Sequence, residues 1–215
     1  SYIVSHNLRS HTSNILGLCD LVTRSYTDNE QRKYIRLLKN VANKLNHTIE
    51  GLSQVTHIQM AHTVSREQVY LKDCIDNTCR TVIDVHYGSK EFLFRNNVPG
   101  AVTVLFNRLY LENVLRILVS NAIKYRHPRR QLKIQLDFVH NDDERALIIT
   151  DNGIGIDLEK DQGRLFGLFK TVSLNNASRG IGLYIARNQV EAMGGRIDVK
   201  STPGKGASFK ICFLK

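Results

Sequence analysis

The chain has 215 residues, of which 42% are hydrophobic and 23% charged, so it can bury a proper core, which argues against wholesale disorder. No apolar run approaches the roughly 20 residues that a membrane-spanning helix needs, and no signal peptide is visible at the start. The net charge is +10, but the basic residues are scattered and do not interleave with aromatic residues, which predicts a solvated surface that attracts polyanions and an acidic partner rather than nucleic acid.

The start of the chain and its cysteines indicate the cellular compartment in which the protein acts. It opens on Ser1 without a Met, which indicates a fragment of a longer protein with any sensor or membrane segment upstream. We expect the fragment itself to be cytoplasmic and to make no membrane contact. The four cysteines form no C-x-x-C pair and no zinc spacing, so they are interpreted as small apolar residues in a reducing compartment. They are Cys19, Cys74, Cys79 and Cys212.

Two long helices are predicted in the first sixty residues. Each carries an apolar stripe in alternating steps of four and three. The stripes are Val4, Leu8, His11, Ile15, Leu18 and Val22, and then Ile35, Leu38, Ala42, Leu45, Ile49, Leu52 and Thr56. Thr27 to Glu30 supply turn and N-cap chemistry between them. Because one hairpin cannot cover both stripes, we predict a homodimer through residues 1–62 in which two copies complete a four-helix bundle.

A different periodicity begins after residue 62 and predicts an α/β sandwich over residues 66–215. Helices are predicted over residues 71–85, 108–125 and 181–193, and strands over 91–96, 101–105, 132–139, 146–150, 196–200 and 207–214. Leu132, Ile134 and Leu136 alternate with polar residues, as in a strand with one buried face. The predicted fold class is therefore α+β, a helical hairpin followed by a sandwich.

Four short motifs follow one another in a fixed order. They are Ser5-His6-Asn7-Leu8-Arg9-Ser10, Asn121-Ala122-Ile123-Lys124-Tyr125, Asp151-Asn152-Gly153-Ile154-Gly155-Ile156 and Arg179-Gly180-Ile181-Gly182-Leu183. Together they resemble the H, N and two glycine boxes of sensor histidine kinases, and Phe166-Gly167-Leu168-Phe169 resembles the aromatic box between the glycine boxes. The resemblance covers essentially the whole chain. It implies a HisKA-type dimerisation and phosphotransfer hairpin followed by a Bergerat-type ATP-binding domain.

The resemblance implies that ATP phosphorylates His6 and that the phosphoryl group then passes to an aspartate of a response-regulator receiver domain. His6 lies two places beyond Val4 of the stripe, which predicts that it faces solvent, and neutral imidazole can attack phosphorus. Asn7 can orient His6 but cannot act as a general base, unlike the Glu or Asp common in the family. Ser10 lies one turn from His6, and its hydroxyl is expected to serve dephosphorylation of the partner.

The end of the long apolar helix supplies the metal and phosphate residues that the resemblance implies. Asn121 matches the family's magnesium-binding asparagine, and Mg²⁺ prefers oxygen ligands. Lys124 is placed to meet phosphates, and Tyr125 is expected to lie against the nucleotide. The alternative for Asn121 is an ordinary helix C-cap, and the other two residues are alternatively plain helix surface.

The two glycine motifs supply the remaining predicted contacts with ATP. Asp151 is expected to accept a hydrogen bond from the adenine amino group, while Gly153 and Gly155 let the backbone pass close to a flat ligand. The other expected contacts are Gly180, Gly182 and Leu183, which open a helix whose amides can hold the triphosphate, and Lys170 and Arg179 in a polar lid before it. The alternative for Asp151 is a turn residue at the end of a strand.

Two further departures from the family pattern are notable. His11 stands where a proline is usual, so the first helix is expected to run straighter. Ile117 stands one turn before Asn121, where the family often has a second asparagine. An ATP-hydrolysing chaperone or topoisomerase module remains an alternative, although Ile117 cannot activate water as a glutamate does there. A dimeric scaffold that binds nucleotide without transferring phosphate is the second alternative.

Overall fold

The computed structural model describes residues 2–25, 27–60, 64–86, 92–141, 144–168 and 181–214. The chain divides into a helical unit, residues 1–57, and a sandwich unit, residues 58–215. The division falls in the last turn of the second helix, a few residues before the boundary expected from the sequence.

The helical unit is built from α1 (Tyr2–Arg24) and α2 (Asp28–Met60). Thr27 caps α2, because its hydroxyl oxygen accepts the N–H of Glu30 at 3.3 Å and its hydroxyl donates to the Glu30 carboxylate at 3.1 Å. The Thr27 hydroxyl therefore acts as an N-cap that satisfies one of the first unpaired N–H groups of the helix, and its bond to the Glu30 side chain holds it in place. The predicted helix start is therefore confirmed.

The two helices differ in how well their predicted stripes match the burial. On α1 every stripe residue whose side chain is described is half-buried: Leu8, His11, Ile15, Leu18 and Val22. On α2 the half-buried residues among the described side chains are Leu38 and Leu45 of the predicted stripe, together with Tyr34 and Val41. The stripe residues Ile35, Ala42 and Ile49 are exposed. The α2 helix carries two adjoining apolar stripes that share Leu38 and Leu45, and the sequence prediction merged them.

The sandwich unit contains seven strands and four helices among its described residues. In chain order they are β1 (Glu67–Tyr70), α3 (Leu71–His86), β2 (Leu93–Asn96), β3 (Thr103–Phe106), α4 (Arg108–Lys124), β4 (Lys133–His140), β5 (Arg145–Asp151), α5 (Leu158–Leu165), α6 (Gly182–Ala192), β6 (Arg196–Thr202) and β7 (Gly206–Cys212). The sequence prediction missed β1 and α5, since β1 has four residues with one buried side chain and α5 is largely polar.

A five-stranded sheet in the order β2-β4-β5-β7-β6 forms one layer, and β1 and β3 pair in a second small sheet. The β2–β4 pair is parallel and the other neighbours are antiparallel. One row across the inner face of the large sheet is Leu136, Ile149, Phe209 and Val199. These residues share a core with apolar side chains of α3, α4 and α6. The predicted α+β class is confirmed for this unit.

Three of the four cysteines lie in the sandwich core, as predicted for small apolar residues, whereas Cys19 is exposed on α1. Burial raises the pKa of Cys74 to about 11 and that of Cys79 to about 12, so both thiols stay protonated near neutral pH. Among the described residues, no helix combines the length and apolar composition that crossing a bilayer requires.

Candidate functional site

The last turn of α4 carries the first group of predicted site residues. Asn121 is half-buried, and its backbone carbonyl accepts the N–H of Tyr125 at 2.9 Å, which closes the helix. Tyr125 is also half-buried, and burial raises the pKa of its phenol, so the ring stays neutral. The Lys124 ammonium lies 5.4 Å from the centroid of that ring. The structure therefore brings the three residues together at one helix end.

The first glycine turn (residues 151–155) follows β5 and presents the Asp151 carboxylate. Its Oδ1 accepts the backbone N–H of Gly153 at 2.8 Å and that of Ala207 at 3.3 Å. Burial raises the pKa of the Asp151 carboxyl, and the two backbone hydrogen bonds partly offset this effect. The carboxylate is thus held in one orientation in surroundings that exclude much of the water.

The same turn packs directly against the end of α4. The N–H of Ile154 donates to the carbonyl of Tyr125 at 2.9 Å. A Cβ at Gly153 would lie 2.5 Å from that carbonyl oxygen, a distance that side chains do not reach. Glycine is therefore required at position 153, and the asparagine motif and the first glycine motif form one continuous structure.

On its other side the first glycine turn meets the β6–β7 turn (residues 202–206). Gly155 has a φ of 71°, and a Cβ there would lie 2.1 Å from the Thr202 carbonyl oxygen. Gly206 has a φ of 101°, and a Cβ there would lie 2.0 Å from the Asp151 carbonyl oxygen. Since no side chain fits at either position, the two turns are in backbone contact.

Polar groups reinforce this contact. The N–H of Gly204 donates to the Ile154 carbonyl at 2.7 Å. The Ser201 hydroxyl accepts the N–H of Ile156 at 2.8 Å and donates to the Gly206 carbonyl at 2.6 Å. The sequence prediction assigned residues 202–206 only to a hairpin turn. The Pro-Gly-Lys-Gly signal identified the turn but contained no sign of its contact with Asp151.

The second glycine motif also contacts α4. Gly182 is the first residue of α6, and a Cβ there would lie 3.2 Å from Cγ2 of Ile117. Farther along, the Asn113 amide donates to the buried Gln189 side chain at 3.0 Å. Ile117 is half-buried and packs on the core, as does Leu183 in the first turn of α6. The α4 helix therefore contacts both glycine motifs.

Three predicted nucleotide contacts, Lys170, Arg179 and Gly180, lie outside the described residues, as does Phe169. Phe166 of the same aromatic motif is half-buried and packs on the core. The centroid of its ring lies 5.6 Å from the guanidinium carbon of Arg187.

The predicted H-motif residues belong to the helical unit. His6 and Asn7 lie within α1, and their side chains are not among those described. Ser10 is exposed on the same helix.

Comparison with known proteins identifies relatives over the whole chain. Residues 107–215 match the family described as "Histidine kinase-, DNA gyrase B-, and HSP90-like ATPase". The chain is 26% identical to the autoinducer 2 sensor kinase/phosphatase LuxQ of Vibrio cholerae, over 97% of this chain and 25% of LuxQ. It is 30% identical to the sensor histidine kinase GacS of Pseudomonas protegens, over 97% of this chain and 23% of GacS. The chain thus spans about a quarter of the length of these curated relatives.

A solved structure shows the same fold. The Acinetobacter baumannii histidine kinase AdeS superposes with a TM-score of 0.72 at 22% identity, over 97% of this chain and 96% of that chain.

We predict that Asp151→Asn separates binding from stability. The amide oxygen can still accept both N–H groups, but the charged acceptor that the resemblance implies for an adenine amino group is lost. A hydrogen bond to a charged group contributes about 1.5–3 kcal/mol, so ATP affinity measured by calorimetry should fall about 10- to 100-fold. The Asp198→Asn variant, at an exposed site on β6, should bind ATP as the wild type does.

The stability of the same variant has the opposite expected sign. The pKa of Asp151 is raised in the folded state, so the folded protein loses stability as pH rises from the ordinary carboxyl range through that raised pKa. At pH 7 the buried charge is a cost that asparagine removes. The melting temperature of Asp151→Asn should therefore equal or exceed that of the wild type. A lower melting temperature at pH 7 would contradict this account.

Proposed function

The chain belongs to the family of histidine kinase-, DNA gyrase B- and HSP90-like ATPases, and on that basis we propose that it is the catalytic core of a two-component sensor histidine kinase. It phosphorylates its own His6 with ATP and passes the phosphoryl group to an aspartate of a response-regulator receiver domain. Its curated relatives are named as sensor kinases, in agreement with the class predicted from the motifs. The observation that carries the proposal is the joint contact of α4 with both glycine motifs, at Tyr125 and at Ile117.

ATP binds between these motifs in one orientation, with its adenine and its phosphates at different motifs. The fixed Asp151 carboxylate receives the adenine amino group, and the half-buried Tyr125 ring lies nearby against the nucleotide. The first turn of α6 binds the phosphates through its backbone amides. Ile181, at the N-cap position, has an apolar side chain that accepts no hydrogen bond from these amides, so its side chain does not compete with a ligand for them. Gly182 and Leu183 provide these amides, and Gly180, Lys170 and Arg179 complete the phosphate contacts.

The donor chemistry of the site fits magnesium rather than a transition metal. Over the described ranges, no group of three or more His, Cys, Asp or Glu side chains is placed to hold a metal ion. A bound ion would take its ligands from the Asn121 amide oxygen, phosphate oxygens and water, which is the set that Mg²⁺ prefers. Bound Mg²⁺ would neutralise charge on the triphosphate. Lys124 adds a positive charge at the same helix end.

The transfer step uses the unprotonated ring nitrogen of His6. It forms a bond to the γ-phosphorus while the bond from that phosphorus to the bridging oxygen breaks, and ADP leaves with the electron pair. Asn7 orients the imidazole but accepts no proton, so the proton on the other ring nitrogen passes to water. The exposed Ser10 hydroxyl lies one turn along α1, where it can orient water toward the partner's aspartyl phosphate in the reverse, dephosphorylating reaction.

The helical unit is proposed to form the homodimer. The α2 side chains Ile35 and Ile49 are 52% and 51% exposed, and Ala42 lies exposed midway between them at heptad spacing. This exposed α2 stripe (residues 35, 42 and 49) adjoins the half-buried stripe on the same helix. An apolar stripe of that spacing is covered by a second copy when two hairpins join as a four-helix bundle.

The His6→Ala variant tests the proposed reaction. We expect incubation of the wild type with γ-labelled ATP to place acid-labile label on the protein, and His6→Ala to abolish it while ATP still binds. The His140→Ala variant, which removes an exposed histidine on β4, should keep the label. Release of free phosphate without labelled protein would support an ATP-hydrolysing module. Binding without either product would support a scaffold, and persistent label on His6→Ala would show that another residue is the nucleophile.

The dimer is tested on the exposed α2 stripe. We expect the wild type to show about twice the chain mass of 24.5 kDa in light scattering at micromolar concentration. The double variant Ile35→Glu/Ile49→Glu should shift toward the monomer, because it buries two like charges in each copy. Leu37→Glu, which adds charge at an exposed α2 position off the stripe, should remain dimeric. A monomeric wild type, or a dimeric double variant, would exclude this interface.

Ile117 is expected to limit the metal site. It lies one turn before Asn121 and offers no oxygen to magnesium or its waters. Ile117→Asn should therefore lower the magnesium concentration for half-maximal labelling, while burial of the amide costs about 1–3 kcal/mol of stability. Ile117→Val keeps the methyl contact with Gly182 and should leave the magnesium midpoint unchanged. If a folded Ile117→Asn protein has the wild-type midpoint, Ile117 serves packing alone.

A further inference from the structure

One arginine reaches both turns of the nucleotide site. Arg130 lies in the connection between α4 and β4. Its Nη2 donates to the Gly204 carbonyl oxygen at 2.5 Å and to the Gly153 carbonyl oxygen at 3.4 Å. A terminal guanidinium nitrogen carries two hydrogens, so each carbonyl can receive one. The side chain thus bridges the first glycine turn and the β6–β7 turn on the outside of their backbone contact.

The bridged segments are the ones that orient Asp151. One N–H bonded to its carboxylate belongs to Gly153, whose own carbonyl accepts from Arg130. The other belongs to Ala207, which follows the turn containing Gly204. If either segment shifts, one of the two hydrogen bonds on Oδ1 lengthens and the carboxylate can rotate.

We propose that Arg130 is a positioning residue that fixes the orientation of the Asp151 carboxylate and thereby sets the affinity and base selectivity of nucleotide binding. The inference rests on the proposed function, because it takes ATP as the ligand. Arg130 itself touches neither the base nor the phosphates in this account. Its effect on binding passes through the separation of the two turns.

Base selectivity distinguishes this role from general stabilisation. Adenine carries an amino group at the position where guanine carries a carbonyl oxygen. A fixed carboxylate accepts from the amino group and repels the carbonyl, so it favours ATP over GTP. A carboxylate that rotates loses affinity for ATP and relaxes the discrimination. If Arg130 only stabilised the fold, its replacement would lower the melting temperature without changing the ratio of the two affinities.

The test compares Arg130→Gln with Arg129→Gln in the full 215-residue chain. Both variants remove one positive charge from adjacent exposed positions, so long-range electrostatic effects are matched. Calorimetric titrations with ATP and with GTP at one magnesium concentration give both dissociation constants. We expect Arg130→Gln to weaken ATP binding about five- to tenfold and to lower the preference for ATP over GTP by about the same factor. Arg129→Gln should stay within about twofold of the wild type for both nucleotides.

The outcomes separate this inference from the proposed function. A wild type that binds no ATP overturns the proposed function and the inference with it. A wild type that binds ATP, with Arg130→Gln equal to Arg129→Gln in affinity and preference, overturns the inference alone. Melting curves establish that each variant is folded. If Arg130→Gln is unfolded, Arg130→Lys replaces it, since lysine keeps the charge but is one bond shorter. Wild-type affinity and preference in Arg130→Lys would then overturn the inference.

Discussion

The carbonyl oxygens of Thr202 and Asp151 occupy the space that a Cβ would need at Gly155 and Gly206. This mutual exclusion of side chains lets the backbone after β5 lie directly on the turn between β6 and β7. The register of the sheet sets the approach, because Thr150 already pairs with Ser208 one residue before Asp151. The position of the carboxylate thus follows from strand pairing and from two glycines, and its surroundings raise its pKa by excluding water.

Two adjoining faces of the α4 helix have different roles. One face supplies the core and the adjoining face lies against α6, where positions 113, 117 and 121 follow in steps of four. Asn113 bonds to Gln189 and Ile117 touches Gly182, so Asn121 is the next residue in a row that already contacts α6. Packing of this helix therefore fixes the spacing of the motifs as well as the stability of the unit.

The sequence predicted the parts of the fold in which periodicity is strong. The α4 helix and the strands β4 to β7 were found because their apolar residues repeat at 3.6 or 2 over enough positions. In α2 two apolar stripes share Leu38 and Leu45, so heptad counting alone could not tell the half-buried stripe from the exposed one. Short or polar elements, β1 and α5, carry too few apolar residues to be seen.

The candidate site was predictable where chemistry is local and not where it is distant. Asp151, Gly153 and Gly155 form one motif, and the structure places them together. Arg130 was missed because it bonds to Gly204 across 74 positions of sequence, and an arginine in a loop has no pattern that announces such a contact. The Pro-Gly-Lys-Gly turn is likewise far along the chain from the motif that it supports, since Ala207, the residue after the turn, bonds to Asp151 across 56 positions.

The place of β7 in the sheet has a consequence for biosynthesis. It pairs with β5 on one side and β6 on the other, so it is an interior strand although it comes last in chain order. During translation, β7 leaves the ribosome only after β6, its outer neighbour in the sheet, has already emerged. Until then the nascent chain lacks the Ala207 amide, and β6 lacks β7, the strand that it pairs with in the described sheet. Domains fold as units, so the proposed nucleotide site is complete only in a polypeptide whose translation has passed this strand.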